Sequence, residues 1–178
     1  MTLRKGSNST VGCRFGVVAA KFNQQVTSKL LNACVDTLTA HRVRKQDIHV
    51  VRVPGAFEIP LVARTMARSS RFDAVICLGA VIRGDTPHFD YICSEVSRGI
   101  GQAALDTDVP IIFGVLTTDT VAQAEERAHP EKLNRGGAAA RAAIEMVRVM
   151  QMISGDVETL ESGTSTNQSG RMQERRKR

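Results

Sequence analysis

No apolar run in this sequence approaches the roughly 18 residues that a membrane-spanning helix needs. The N-terminal MTLRKGSNST carries no apolar signal core either, so neither membrane nor export is expected and a cytoplasmic location follows. Cysteine is scarce and scattered. Cys13, Cys34, Cys77 and Cys93 form no CxxC and stand at no metal-ligand spacing with a histidine. The last three lie among apolar residues, where a reduced cysteine behaves as a small hydrophobe, which points to a reducing compartment and no structural zinc. Aromatic residues make up only 4% of the chain. With the lysines and arginines spread over several segments, the net charge of +6 reads as a solvated basic surface rather than a nucleic-acid face. Also missing are a G-x-G-x-x-G, a Walker P-loop, a G-x-S-x-G elbow and an H-E-x-x-H pair, so nucleotide cofactors, serine hydrolysis and metal hydrolysis lose ground.

What is present suffices for one full core and is short for two: 178 residues, 42% hydrophobic and 24% charged. From Ser154 the composition turns to Gly, Ser, Thr, Gln and Glu and ends in the basic cluster RMQERRKR. Residues 154–178 are expected to be a polar, disordered tail. Residues 1–153 are expected to form one domain, with 1–13 as an N-terminal arm.

Four β-branched runs, 14-RFGVVAA-20, 48-IHVVRV-53, 74-AVICLGAVI-82 and 109-VPIIFGVLT-117, alternate with helix-period segments. Leu30, Leu31, Cys34, Val35 and Leu38 share a face of the first helix, and Leu61, Val62, Thr65 and Met66 a face of the second. Phe89, Ile92, Cys93, Val96, Ile100 and Ala103 mark the third. A short fourth helix covers 121–128, and a longer fifth covers 136–152. Near-continuous apolar strands alternating with helices predict a parallel sheet covered on both faces. The expected fold is a flavodoxin-like three-layer α/β/α sandwich with a four-stranded parallel sheet.

Such folds bind ligands outside the carboxyl ends of their strands, and every strand end here carries something unusual. The first leads into Lys21-Phe22-Asn23, the second into 54-PGAFEIP-60, the third into 83-RGDTPH-88 and the fourth into 117-TTDT-120. Thr86 before Pro87 reads as a helix cap with proline in the first turn. The amides and dipole of that helix start suit a phosphate or carboxylate. His88 would stand beside the anion, where a histidine can move protons near neutral pH. A surface histidine on a capped helix explains the same local sequence equally well. Gly55 and Ala56 leave room for a flat ligand; Glu58 taken alone reads as a first-turn acid complementing the helix dipole. Phe22 is a candidate stacking surface, though such an aromatic is more often core or interface. Arg127 either forks onto a phosphate or pairs with an acid of its own helix. His41, His49 and His129 read as surface residues.

In combination, FGVVAAKFN, VPGAFEIP, GAVIRGDTPHFDYI, FGVLTTDT, QAEERA and NRGGAAARAAIEM resemble the lumazine synthase family over about Phe15 to Val149. The resemblance implies a transferase that condenses 5-amino-6-(D-ribitylamino)uracil with 3,4-dihydroxy-2-butanone 4-phosphate, the penultimate step of riboflavin biosynthesis, with no metal and no organic cofactor. It implies His88 as the proton-transfer residue. It places Phe22, Ala56, Phe57, Glu58, Ala80, Val81 and Ile82 on the ribitylaminouracil, with Phe113 reaching it from an adjacent subunit. Asp85 and Thr86 would hold the phosphate, with Arg127 from the neighbour, and Asn23 and Arg135 are further contacts. The implied partners are small-molecule substrates, the other copies of a homopentamer, up to a 60-subunit icosahedral shell, and riboflavin synthase. Where many relatives carry Gly-Thr-Lys-Ala-Gly-Asn-Lys-Gly, this chain has 129-HPEKLNRG-136. Arg135 keeps a positive charge there, and the loop's unchanged length favours the shell. Two other readings stand beside this one. A catalytically silent flavin- or lumazine-binding scaffold would be expected to lack His88 or Arg127. A nucleic-acid module would act through the basic surface or tail.

Overall fold

In the computed structural model, the backbone of residues 12–173 and the side chains of residues 12–155 are described. The strands are β1 (Phe15–Ala20), β2 (Ile48–Val53), β3 (Ala74–Ile82) and β4 (Ile111–Thr118). The helices are α1 (Gln24–Ala40), α2 (Ile59–Arg68), α3 (His88–Leu105), α4 (Val121–Ala128) and α5 (Arg135–Gln173), with a short 3₁₀ turn at Lys45–Asp47. The four strands are all parallel and run in the order β2-β1-β3-β4. This is the flavodoxin-like arrangement that the alternation of apolar runs and helix-period segments predicts.

Strand residues alternate between two cores because successive side chains leave opposite faces of the pleat. Phe15, Val17 and Ala19 of β1, with Ile76, Leu78 and Ala80 of β3, face α1, α4 and the start of α5. Val18 and Ala20, with Val75 and Cys77, face α2 and α3. The α5 layer closes unusually tightly. A Cβ on Gly136 would land against the Leu30 carbonyl of α1, so only glycine lets the two backbones meet there.

One helix face is turned from its expected position. The buried residues of α2 are Ile59, Ala63, Met66 and Ala67, while Leu61 is 71% exposed. Two alanines let the helix sit close to the sheet, and the larger Leu61 points out. Helix α5 is helical to Gln173, past the Ser154 at which a tail is expected. No proline follows Pro130, so no residue there sterically ends a helix. The chain divides into two compact units. Residues Ser9–Val147 form the one that holds the sheet and both cores, and the other includes the residues from Arg148 onward.

Candidate active site

The chain goes from β1 outward to β2 and then returns to the other side of β1 to lay down β3. The reversal makes a crevice at the carboxyl ends of β1 and β3, where doubly wound sheets bind ligands. A cleft of about 740 Å3 occupies that place. Phe22, Gly55, Ala56, Phe57, Glu58, Ala80, Val81, Ile82, Gly84, Thr86 and His88 line it, together with Phe89, Tyr91 and Ile92. Of the residues expected on the two substrates, most are therefore gathered by the fold of a single chain. Asp85 lies between two lining residues and is itself exposed.

Each wall has an identifiable support. Backbone bonds from Lys21 N–H to Val53 O (2.7 Å) and from Phe22 N–H to Pro54 O (3.0 Å) carry the β1–β2 ladder past both strands. Phe22 is left 69% exposed over the cleft. Asn23 takes the left-handed conformation (φ 55°), which asparagine tolerates better than most residues. Its Nδ2 donates to Ala80 O at 2.9 Å. Glu58 accepts from Gly55 N–H through Oε2 at 2.8 Å, so it braces the 54–58 turn instead of capping α2, for which no side-chain bond forms.

Strand β3 outruns β1. Their pairing ends at Ala19 and Leu78, while β3 continues beside β4 to Ile82 and Thr118. Ala80 offers its carbonyl on the β1 side to Asn23. Ile82, two residues on, points its peptide groups the same way, into the cleft. The start of α3 differs in detail from expectation. Pro87, not Thr86, occupies the cap position, and no side chain caps the helix. Among the described residues, the amides of Gly84, Asp85, Thr86, His88 and Phe89 find no acceptor. An uncapped helix start of this kind is an anion site in waiting.

Phe113, Arg127 and Arg135 lie elsewhere. They line a second groove of about 390 Å3 along β4, α4 and α5, which shares no lining residue with the cleft. Arg127 donates through Nη1 to Gln123 O at 3.1 Å, and no carboxylate pairs with it or with Arg135 among the described residues. The intrahelical pairing of Arg127 that the local sequence allows does not form. Two unpaired guanidinium groups beside an exposed aromatic make this groove receptive to anions.

A model of the 6,7-dimethyl-8-ribityllumazine synthase family matches residues 12–151. The chain belongs to that family. As a lumazine synthase family member it is an enzyme of riboflavin biosynthesis that takes small-molecule substrates, and the family oligomerises. The matched span takes in every strand and both grooves. Among the described residues, no helix is long and apolar enough to cross a membrane, and no three or more His, Cys, Asp or Glu cluster as metal ligands.

Two features in and beside the cleft of this family member escape a reading by motif. Tyr91 lines the cleft three residues after His88, and that i, i+3 spacing on one helix face was the available signal. Arg83 anchors the loop before α3 through Asp119 and Asp90, and those carboxylates, Asp119 first, push its pKa up. His129 is more than a surface residue. Its Nδ1 accepts from Glu131 N–H at 3.2 Å, and its carbonyl accepts from Lys132 and Asn134 N–H, both at 3.1 Å. The changed 129–135 loop is thus a turn wound around one histidine. His49 stands edge-on to Phe72, with ring centroids 5.3 Å apart.

Proposed function

We propose that this protein condenses 5-amino-6-(D-ribitylamino)uracil with 3,4-dihydroxy-2-butanone 4-phosphate to 6,7-dimethyl-8-ribityllumazine, releasing one phosphate and two waters. It is a transferase reaction, the penultimate step of riboflavin biosynthesis, carried out in the cytoplasm. The observation that carries this reading is one cleft that joins an exposed stacking ring, an unpaired strand end and a helix start with open amides beside a histidine.

Phe22 stacks on the pyrimidine, whose flat face suits an aromatic partner. Ala56 and Phe57 bound the ribityl side, Glu58 presents its remaining oxygen to hydroxyl or amine, and Asn23 keeps the Phe22 turn in place. The end of β3, Ala80 to Ile82, offers peptide groups to the uracil edge. Asp85 and Thr86 carry the backbone amides that receive the phosphate. The 5-amino group attacks the ketone and the resulting carbinolamine loses water to an imine. The phosphate then leaves, and the ribityl-bearing nitrogen closes the ring with loss of the second water. Each step moves a proton and none is a net oxidation, so positioning and one acid-base group suffice. His88, on the first turn of α3, takes the proton-transfer role beside the departing phosphate.

Phe113 and Arg127, with Arg135, complete the site from a neighbouring copy. Their separate groove supports this reading, since one chain does not bring them to the cleft. A head-to-tail contact whose rotation closes makes a ring, and the proposed ring is a pentamer. Exposed Leu61 and Leu105 are apolar surface available for such contacts.

The direct test is to mix both substrates with the protein and follow lumazine absorbance. Steady product formation is expected, and none at saturating concentrations of both refutes the assignment. Light scattering on the same sample is expected to give a pentamer or a 60-subunit shell; a monomer that turns over refutes the shared site.

A further inference from the structure

The loop that leads into α3 is fastened at its base by a side chain that the proposed chemistry does not use. Arg83 follows β3 directly, and its N–H donates to Thr118 O at 2.9 Å, so its backbone belongs to the sheet. Its Nε donates to Asp119 Oδ1 at 2.9 Å. Its Nη1 and Nη2 donate to Asp90 Oδ2 and Oδ1 at 3.4 and 3.2 Å. The guanidinium also lies over the Phe89 ring, 4.1 Å from its centroid. One residue thereby joins the end of β3, the first turn of α3 and the turn between β4 and α4.

Six residues, 84–89, lie between Arg83 and Asp90, and they include the open amides, Thr86 and His88. The amides of Gly84, Asp85 and Thr86 bond to nothing among the described residues, so the loop does not hold itself. The clasp across its base does. Its side chains are 44%, 61% and 68% exposed, and ion pairs so exposed stabilise a fold little. Its consequence is therefore geometric. It is also electrostatic: Asp90 and Asp119 flank a loop suited to an anion, and the single positive charge of Arg83, shared between them, offsets one of the two.

We propose that Arg83 is a positioning residue for the phosphate-bearing substrate: by clasping Asp90 and Asp119 it sets the 84–89 loop and holds Phe89 against the cleft. This rests on the reading of that loop as the phosphate site. The experiment compares the full-length protein with Arg83→Gln and Arg83→Lys. It measures KM for each substrate and kcat, and it titrates inorganic phosphate calorimetrically without substrates. Arg83→Gln is expected to raise KM for the butanone phosphate and Kd for phosphate by about tenfold, with KM for the ribitylaminouracil changed by less than about twofold. Arg83→Lys keeps the charge but not the fork and is expected to fail to restore either constant. Full rescue by lysine, an unchanged phosphate Kd, or equal rises in both KM values overturns the proposal. Should both variants fail to fold, Asp119→Asn removes one arm of the clasp and is expected to weaken phosphate binding in the same direction by about threefold; no change there overturns it. The phosphate titration separates this inference from the assigned reaction. Phosphate binding that weakens in Arg83→Gln, in a protein that makes no lumazine, refutes the reaction and keeps the clasp. Lumazine formation indifferent to Arg83 refutes the clasp alone, and a protein that binds no phosphate refutes both.

Discussion

The cleft at the ends of β1, β2 and β3 is walled by exposed Phe22 and Phe57 and the apolar end of β3, whereas the groove along β4 sets Arg127 and Arg135 around Phe113. The first is about twice the size of the second, 740 against 390 Å3, and has the shape for a heterocycle. The second is smaller and has the charge for a phosphate. Neither gathers all the residues expected on the two substrates. The difference teaches that one chain keeps the two groups of residues apart; on the proposed function they are half-sites that a second copy joins.

The sharpest way to break that comparison is to disable each half separately. His88→Ala removes the proposed acid-base group of the cleft and is expected to lower kcat by about 10²-fold or more without abolishing turnover, as read by lumazine absorbance. An unchanged turnover number at saturating substrate removes His88 from the mechanism. Arg127→Ala acts on the other half and is expected to raise KM for the phosphorylated ketone by about tenfold, leaving the pyrimidine largely unaffected. Equal loss of affinity for both substrates contradicts a phosphate role. If the halves come from different copies, the two crippled variants unfolded together and reassembled at equal amounts should regain about a quarter of the intact sites. No recovery over either variant alone places both residues in a site made by one chain.

A smaller effect tests how firmly the cationic groove is mounted. Gly136 follows Arg135 and meets the backbone of α1 at Leu30, so Gly136→Ala must push two helix backbones apart. The expected cost is about 1–3 kcal/mol in a denaturant titration, accompanied by weaker phosphate binding as Arg135 moves with its helix. A neutral substitution would mean that α5 is loosely seated.

The same division explains what the sequence made legible. The strands were readable because their apolar runs are continuous, and so was the convergence of their ends, because an all-parallel sheet puts every carboxyl end on one edge. The α2 face was not. Periodicity weighs Leu61 and Val62 by hydrophobicity, but the sheet accepts Ala63 and Ala67 because small residues allow close approach. Leu61 is left 71% exposed instead, and an apolar residue turned outward looks like core to periodicity alone. Thr86 was misread for a different reason: Pro87 in a helical conformation (φ −62°, ψ −4°) takes the cap position, and sequence does not say which of two adjacent residues enters the helix. Arg83 was hidden because its partners Asp90 and Asp119 are 7 and 36 residues away, a distance that no motif spans.

The smallest effect compares the two cores behind the two grooves. Cys34 belongs to the layer of α1, α4 and α5, and Cys77 to the layer of α2 and α3. Burial pushes the Cys34 thiol up to about 12 from its ordinary 9.0, and it pushes Cys77 up as well. Both thiols stay protonated in the fold where they would ionise in the unfolded chain. Stability is therefore fully present below about pH 9 and falls as the pH climbs toward 12, because the unfolded state releases protons that the folded state retains. Near pH 10 the loss is about 1 kcal/mol per thiol, readable as a shift in the urea midpoint that Cys34→Ala and Cys77→Ala each reduce. A thiol reagent at mild pH should leave both untouched and label them together on unfolding, since both cores share the one sheet. If Cys77 reacts well before Cys34, the layer behind the cleft opens independently, and the two half-sites differ in stability as well as in charge.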